Sequence, residues 1–208
     1  MRRGEISDMG GRIHRMQLPI VIILMAITIS MISCKHDYTP KPRGYFRIAF
    51  PAKAYHQMNK DLPYTFKIPD YSNVSKDSDY QAKRYWINVD VPSNKSSIHI
   101  SYKAIRGNLA KYTEESRMLA YKHAQKASAI DEKIYVNRAK KVFGTLYNIK
   151  GNVASPMQFY LTDSTRHFIR GALYIREIPN IDSLQPVINF LEQDVLQLVE
   201  STEWKDVK

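Results

Sequence analysis

Hydrophobic and polar positions change rhythm several times along the chain, and each change predicts an element. Residues 18–31, LPIVIILMAITISM, are an apolar run interrupted only by Pro19, Thr28 and Ser30. Much later, Tyr85, Ile87, Val89 and Val91 alternate with other residues, as do Ile98, Ile100, Tyr102 and Ala104 within Ser97–Ala104. A period of two puts one face of a strand against a core, and Pro92-Ser93-Asn94-Lys95 between the two runs predicts a hairpin. Tyr45–Phe50 and Tyr64–Ile68 are aromatic and β-branched runs bounded by Pro51, Pro63 and Pro69, which predicts two short strands. The polar stretch Ser72–Lys83 predicts an exposed loop. The period then lengthens. Leu109, Tyr112, Ser116, Leu119, Ala120, His123 and Ala127 share one stripe at helical spacing, so a helix capped by Asn108 is expected to run to about Lys126. Lys133–Val136, Lys141–Ile149, Met157–Thr162 and His167–Arg176 read as strands in an antiparallel meander. The turn-forming stretches Gly151-Asn152-Val153-Ala154 and Asp163-Ser164-Thr165 separate them. A second helix is expected from about Ser183 to Ser201, its start marked by Pro179 and Asp182. Leu184, Val187, Ile188, Leu191, Val195, Leu198 and Val199 form its apolar stripe, which Trp204 extends. Together these predict an α+β fold, a single domain with an antiparallel sheet of about seven strands covered by two amphipathic helices.

The apolar run near the N-terminus belongs to a different layer of organisation. At 14 residues it falls short of the roughly 18–20 that a helix needs to span a bilayer core. Arg2, Arg3, Arg12 and Arg15 precede it, and a basic flank before a short apolar core is the pattern of a secretion signal. Directly after it, Met31-Ile32-Ser33-Cys34 matches a lipobox, with an apolar residue at −3, a small one at −1 and cysteine at +1. Cys34 is the one cysteine of the 208 residues and is the expected lipid-attachment site. The organisation expected is a lipoprotein signal peptide over 1–33, a tether over 34–43 and one α+β domain over 44–208. The tether KHDYTPKPR, Lys35 to Arg43, is polar, has two prolines and lacks periodicity. Glu5 and Asp8 are unusual in a signal's basic region, which leaves Met1, Met9 and Met16 open as the start.

Composition narrows the partners. The chain carries 31 Lys and Arg against 20 Asp and Glu; removing residues 1–33 takes away four basic and two acidic residues, leaving 27 against 18, net +9. The basic residues are scattered rather than striped, and the chain is exported, so no nucleic acid is expected as a partner. A lone cysteine cannot form a disulfide within the domain, whose stability must come from packing. The chain has no glycine-rich phosphate loop, no HExxH, no Gly-x-Ser-x-Gly and no cysteine pair for a metal, and no cofactor or metal is expected. His99, His123 and His167 have no acidic residue at ligand spacing and read as packed or surface histidines. No catalytic residue is identified. Fourteen tyrosines, many on the expected strands, suit a half-buried sheet and an interaction surface alike.

Three blocks carry a resemblance that composition does not show. They are DYTPKPRGYFRI (Asp37–Ile48), SYK followed by NLAKYTEESRMLAYKHAQKASAI (Asn108–Ile130), and GTLYNIKGNVASPMQFYLTDSTRHFIRGALY (Gly144–Tyr174). Together with the lipobox they resemble the gliding-motility lipoprotein GldD family of the Bacteroidetes, across essentially the whole mature chain. The resemblance implies a cell-envelope lipoprotein needed for gliding and linked to the motility machinery and its secretion system. It implies no known activity, cofactor or catalytic residue, and it carries over one role, acylation of Cys34, palmitate being a typical chain. The expected partners are the membrane, through acylated Cys34, and other gliding-motility or secretion envelope proteins. The expected place is the periplasmic side, with the outer membrane favoured because Lys35 follows the cysteine where an inner-membrane retention aspartate would stand. Arg43, Tyr45, Asn152, Asp163 and His167, within the motif blocks, are candidates for an interaction surface. Asp182-Ser183-Leu184 resembles an O-glycosylation acceptor at Ser183, and a helix start explains the same residues. Two other readings stay open, a periplasmic enzyme and a ligand-binding module acting on cell-wall, glycan or lipid material.

Overall fold

The alternating runs pair as their pattern predicts. In the computed structural model residues 49–77, 83–178 and 180–205 are described, and every structural statement below concerns them. The elements are β1 (Tyr55–Gln57), β2 (Tyr64–Thr65), β3 (Lys67–Pro69), β4 (Asn73–Lys76), β5 (Ile87–Val91), β6 (Ser96–Ala104), α1 (Leu109–Tyr121), β7 (Ala127–Asn137), β8 (Val142–Gly151), β9 (Met157–Thr162), β10 (His167–Ile175), α2 (Ile181–Ser201) and β11 (Glu203–Trp204). Seven strands form one antiparallel sheet in the order β4-β5-β6-β10-β9-β8-β7. Two chain-consecutive meanders, β4 to β6 and β7 to β10, are therefore joined where β6 lies against β10, from His167 opposite Ala104 to Ile175 opposite Ser96. Short pairs β1–β3 and β2–β11 lie outside this sheet.

Side-chain alternation gives the sheet two apolar faces. On one, Ile87, Val89, Ile98, Ile100, Phe159, Leu161, Ile169 and Leu173 meet Leu191, Val195, Leu198 and Val199 of α2, with Tyr64, Phe66 and Ile68 completing the core. Leu191 and Val195 are fully buried, and burial of such a side chain stabilises by about 1.5–3 kcal/mol. On the other face Ala120 of α1 packs on Tyr147, Ile149 and Val153, while Tyr112 and Tyr160 lie against Phe168. Gly171 in β10 is a packing requirement, since a Cβ there would enter the ring of Phe159.

Several expectations are corrected in detail. The expected loop Ser72–Lys83 contains β4, which pairs with β5 from Asn73 opposite Asp90 to Lys76 opposite Ile87. One apolar residue, Val74, is too weak a pattern to reveal an edge strand. Of the expected strand Tyr45–Phe50, residues 45–48 lie outside the described residues, Ala49 and Phe50 have no regular structure, and the first strand is β1. Helix α1 stops at Tyr121, and hydrogen-bonded turns from Lys122 to Lys126 carry His123 off the stripe. Asn108 does sit at the N-cap position, but its side chain accepts from the Arg106 N–H and donates to the Tyr112 hydroxyl instead of capping. Strand β7 spans Ala127–Asn137, far beyond Lys133–Val136. Helix α2 starts at Ile181 after Asn180, so Asp182 lies in its first turn and not at its cap. Trp204 leaves the helix altogether and pairs in β11 with Tyr64.

Candidate interaction surfaces

The tightest polar cluster was not foreseen from the sequence. Asp194 of α2 is fully buried, and its carboxylate accepts from Lys53 Nζ at 2.6 Å, Tyr55 OH at 2.9 Å and Tyr71 OH at 2.7 Å. Lys53 donates also to the Phe190 carbonyl at 2.7 Å and the Tyr71 hydroxyl at 2.8 Å. Burial pulls the Lys53 ammonium below its usual value, and Asp194 only partly restores it. Burial and the Asp194 bond push the Tyr55 and Tyr71 hydroxyls well up. An ammonium has three donors, and all three have acceptors here. The ammonium is fully satisfied, and the cluster pins the segment before β1 onto α2.

The expected site residues separate. Cys34, its lipobox residues Met31, Ile32 and Ser33, and Arg43 and Tyr45 lie outside the described residues. Asp163 closes the β9–β10 turn, where Oδ1 accepts from the N–H groups of Thr165, Arg166 and His167 at 3.0, 2.8 and 2.8 Å. Burial pushes its carboxyl up, but those backbone bonds outweigh burial and hold it below the usual aspartate value. His167 is buried, stacked on Trp204 at 5.3 Å, with Nδ1 3.0 Å from the Tyr102 hydroxyl. Asn152 is exposed beyond the far end of β8. Phe143 of that strand pairs with Thr162, so eight residues of strand, about 27 Å, separate Asn152 from the Asp163 turn. These three do not form one surface. Ser183 is exposed in the first turn of α2, its hydroxyl donating to the Asn180 carbonyl. His99 is half-buried, edge-on to Tyr174 at 5.0 Å, and burial lowers its pKa, as it does for His123. Among the described residues no three His, Cys, Asp or Glu side chains gather to hold a metal.

Two other places present unsatisfied surface. Strand β7 is last in the sheet order, paired only with β8 among the described strands. Its 11 residues reach about 37 Å at strand rise, twice the usual strand length. Ile134 is 77% exposed and Val136 53%, on the same sheet face as α1, where Tyr121 reaches Glu132 at 2.7 Å. Single exposed apolar residues are ordinary; a long open edge carrying two of them is a template for strand addition. The second place is a cleft of about 510 Å³ lined by Lys83, Arg84, Tyr85, Tyr102, Lys103, Lys111, Tyr112 and Glu115. Tyr85 sits at φ 73°, a left-handed conformation costing on the order of 1–2 kcal/mol for a residue with a Cβ. It is held there by the Tyr64 hydroxyl bonding its carbonyl at 2.7 Å and by the edge-on ring of Tyr102 at 5.6 Å.

Comparison with known proteins bears on the whole chain rather than on one surface. No curated protein matches it. Among solved structures it is similar to the solution structure of cyanobacterial PsbP (CyanoP) from Synechocystis sp. PCC 6803, with 9% identity, coverage of 79% of this chain and 100% of that one, and a TM-score of 0.46. The model of the family described as gliding motility lipoprotein GldD matches residues 35–204, from the residue after Cys34 to the end of β11. That match takes in every element of the sheet, its helices and the β7 edge, and the chain belongs to the gliding motility lipoprotein GldD family.

Proposed function

We propose that this gliding-motility lipoprotein is a non-enzymatic adaptor, held by acylated Cys34 on the periplasmic side of the outer membrane. It docks other envelope proteins of the motility or secretion machinery, which add an extended strand to β7. The observation that carries this reading is the open β7 edge with Ile134 and Val136 exposed. Main-chain hydrogen bonds along such an edge supply affinity, and alternate side chains supply selectivity. Acyl anchoring confines the domain to one leaflet and raises the effective concentration of neighbouring partners, so modest contacts suffice. The Lys53–Asp194 cluster, whose ammonium has all three donors engaged, supports a pinning role.

The test is affinity purification of the tagged full chain from detergent-solubilised envelopes, beside Cys34→Ala and an Ile134→Lys/Val136→Lys double variant. Motility or secretion components are expected with the unaltered chain and lost from both variants. Equal recovery from the double variant would overturn the strand-addition mode, and no recovery from any form would overturn the adaptor role.

A further inference from the structure

The cleft beside Tyr85 carries more positive charge than its surroundings compensate. Glu115 is its one carboxylate and is already shared by Lys103 at 2.6 Å and Lys111 at 4.0 Å. Lys83 and Arg84 are exposed and, among the described residues, have no carboxylate partner. Four cations crowded on one hollow favour entry of an anion. The cations also lie over aromatic faces, Arg84 at 4.7 Å from the Tyr85 ring and Lys103 at 4.5 Å from Tyr112, so the walls are ring faces edged with charge. A second hollow of about 490 Å³ shares Lys83, Arg84 and Tyr85 and continues past Trp86 to Lys60 and Lys76, where Asp61 and Asp77 also line it, so the excess of positive charge lies at the Tyr85 end. The combined groove is too long for a single small ion, and both hollows fall in the size range of ligand pockets. The fold also holds Tyr85 in a strained conformation at the ridge between them, and such strain clusters at ligand sites.

We infer that this groove binds an anionic saccharide, with a sugar ring lying beside Tyr85, its hydroxyls reaching the Tyr112 tip, and its carboxylate or phosphate groups meeting Arg84, Lys103 and Lys111. Flat apolar bodies with hydroxyl tips suit hydroxylated rings, and the guanidinium of Arg84 forks onto a carboxylate or phosphate. This site is separate from the β7 edge and does not depend on the adaptor reading.

Calorimetric titration of the detergent-solubilised full chain tests it with tetragalacturonate, the uncharged maltotetraose and tetraglutamate, and flotation of the unacylated Cys34→Ala chain with phosphatidylglycerol vesicles, without detergent, supplies the lipid comparison. Tetragalacturonate is expected to bind at least about tenfold tighter than either other soluble probe, a difference readily resolved. An Arg84→Gln/Lys111→Gln variant, altering two exposed side chains, is expected to lose that binding while keeping its thermal unfolding midpoint. The Ile134→Lys/Val136→Lys variant is expected to keep it. Tetraglutamate binding as tightly, vesicles binding where the saccharide does not, no binding at all, or binding untouched by the Arg84→Gln/Lys111→Gln change would each overturn the inference.

Discussion

Two aspartates show how one residue type is used in opposite ways. Asp163 works through its charge on backbone N–H groups at a turn, which depresses its pKa. A depressed carboxyl contributes stability that is complete above the unfolded value near 4 and is lost as pH falls through the lower folded value. Asp163→Asn is therefore expected to destabilise at pH 7 by about 1–2 kcal/mol, with the difference shrinking at pH 3; urea unfolding at both pH values checks this, and an unchanged difference would contradict it. Asp194, itself buried, instead anchors a half-buried cation. Asp194→Asn leaves Lys53 without its counter-charge and is expected to cost on the order of 3 kcal/mol, most of it recovered in a Lys53→Met/Asp194→Leu double variant; chemical denaturation of the single and double variants decides. The sequence showed Asp163 as a turn residue because Ser and Thr follow it directly. Nothing local marked Asp194, whose partners Lys53, Tyr55 and Tyr71 stand more than 120 residues away.

At the scale of elements, legibility followed burial. β5, β6, β9 and β10 each press one or both faces into a core, so apolar spacing exposed them. β7 has no such constraint. Its residues ASAIDEKIYVN are largely exposed on both faces, and only a four-residue segment of it stood out. β4 was hidden for the same reason, and α1 was drawn too long because His123 keeps helical spacing while already lying in turns. Helix α2 was clear despite Pro186 within it, because the stripe from Val187 to Val199 continues past that residue. Leu191 sits fully buried in that stripe, so Leu191→Ala is expected to cost about 2–5 kcal/mol, read from denaturant midpoints with an unchanged slope. Substitution of Ile134 or Val136 by Lys is expected to change stability by no more than about 0.5 kcal/mol, since exposed sites away from packing are nearly neutral. The contrast separates what β7 does for partners from what it does for the fold.

For the whole molecule, the family was legible in contiguous residues, and the expected anchor at Cys34 is read from the same kind of signal, whereas both candidate surfaces required the fold. The basic groove joins Lys83–Tyr85 to Lys103–Tyr112 across a hairpin and a helix start, and no stretch of sequence displays it. Anchoring itself has a direct readout: metabolic labelling with palmitate is expected to mark the chain, and Cys34→Ala is expected to abolish both the label and sedimentation with membranes. Persistent label in that variant would place the lipid elsewhere. The adaptor reading is tested most directly by site-specific photocrosslinking in living cells, with a photoreactive amino acid placed at Ile134 on the β7 edge and, as control, at Ile178, which is 87% exposed outside any element. A discrete crosslinked product containing a motility or secretion protein is expected from position 134 and not from position 178. No product at 134, or the same products at both positions, would contradict docking through the β7 edge.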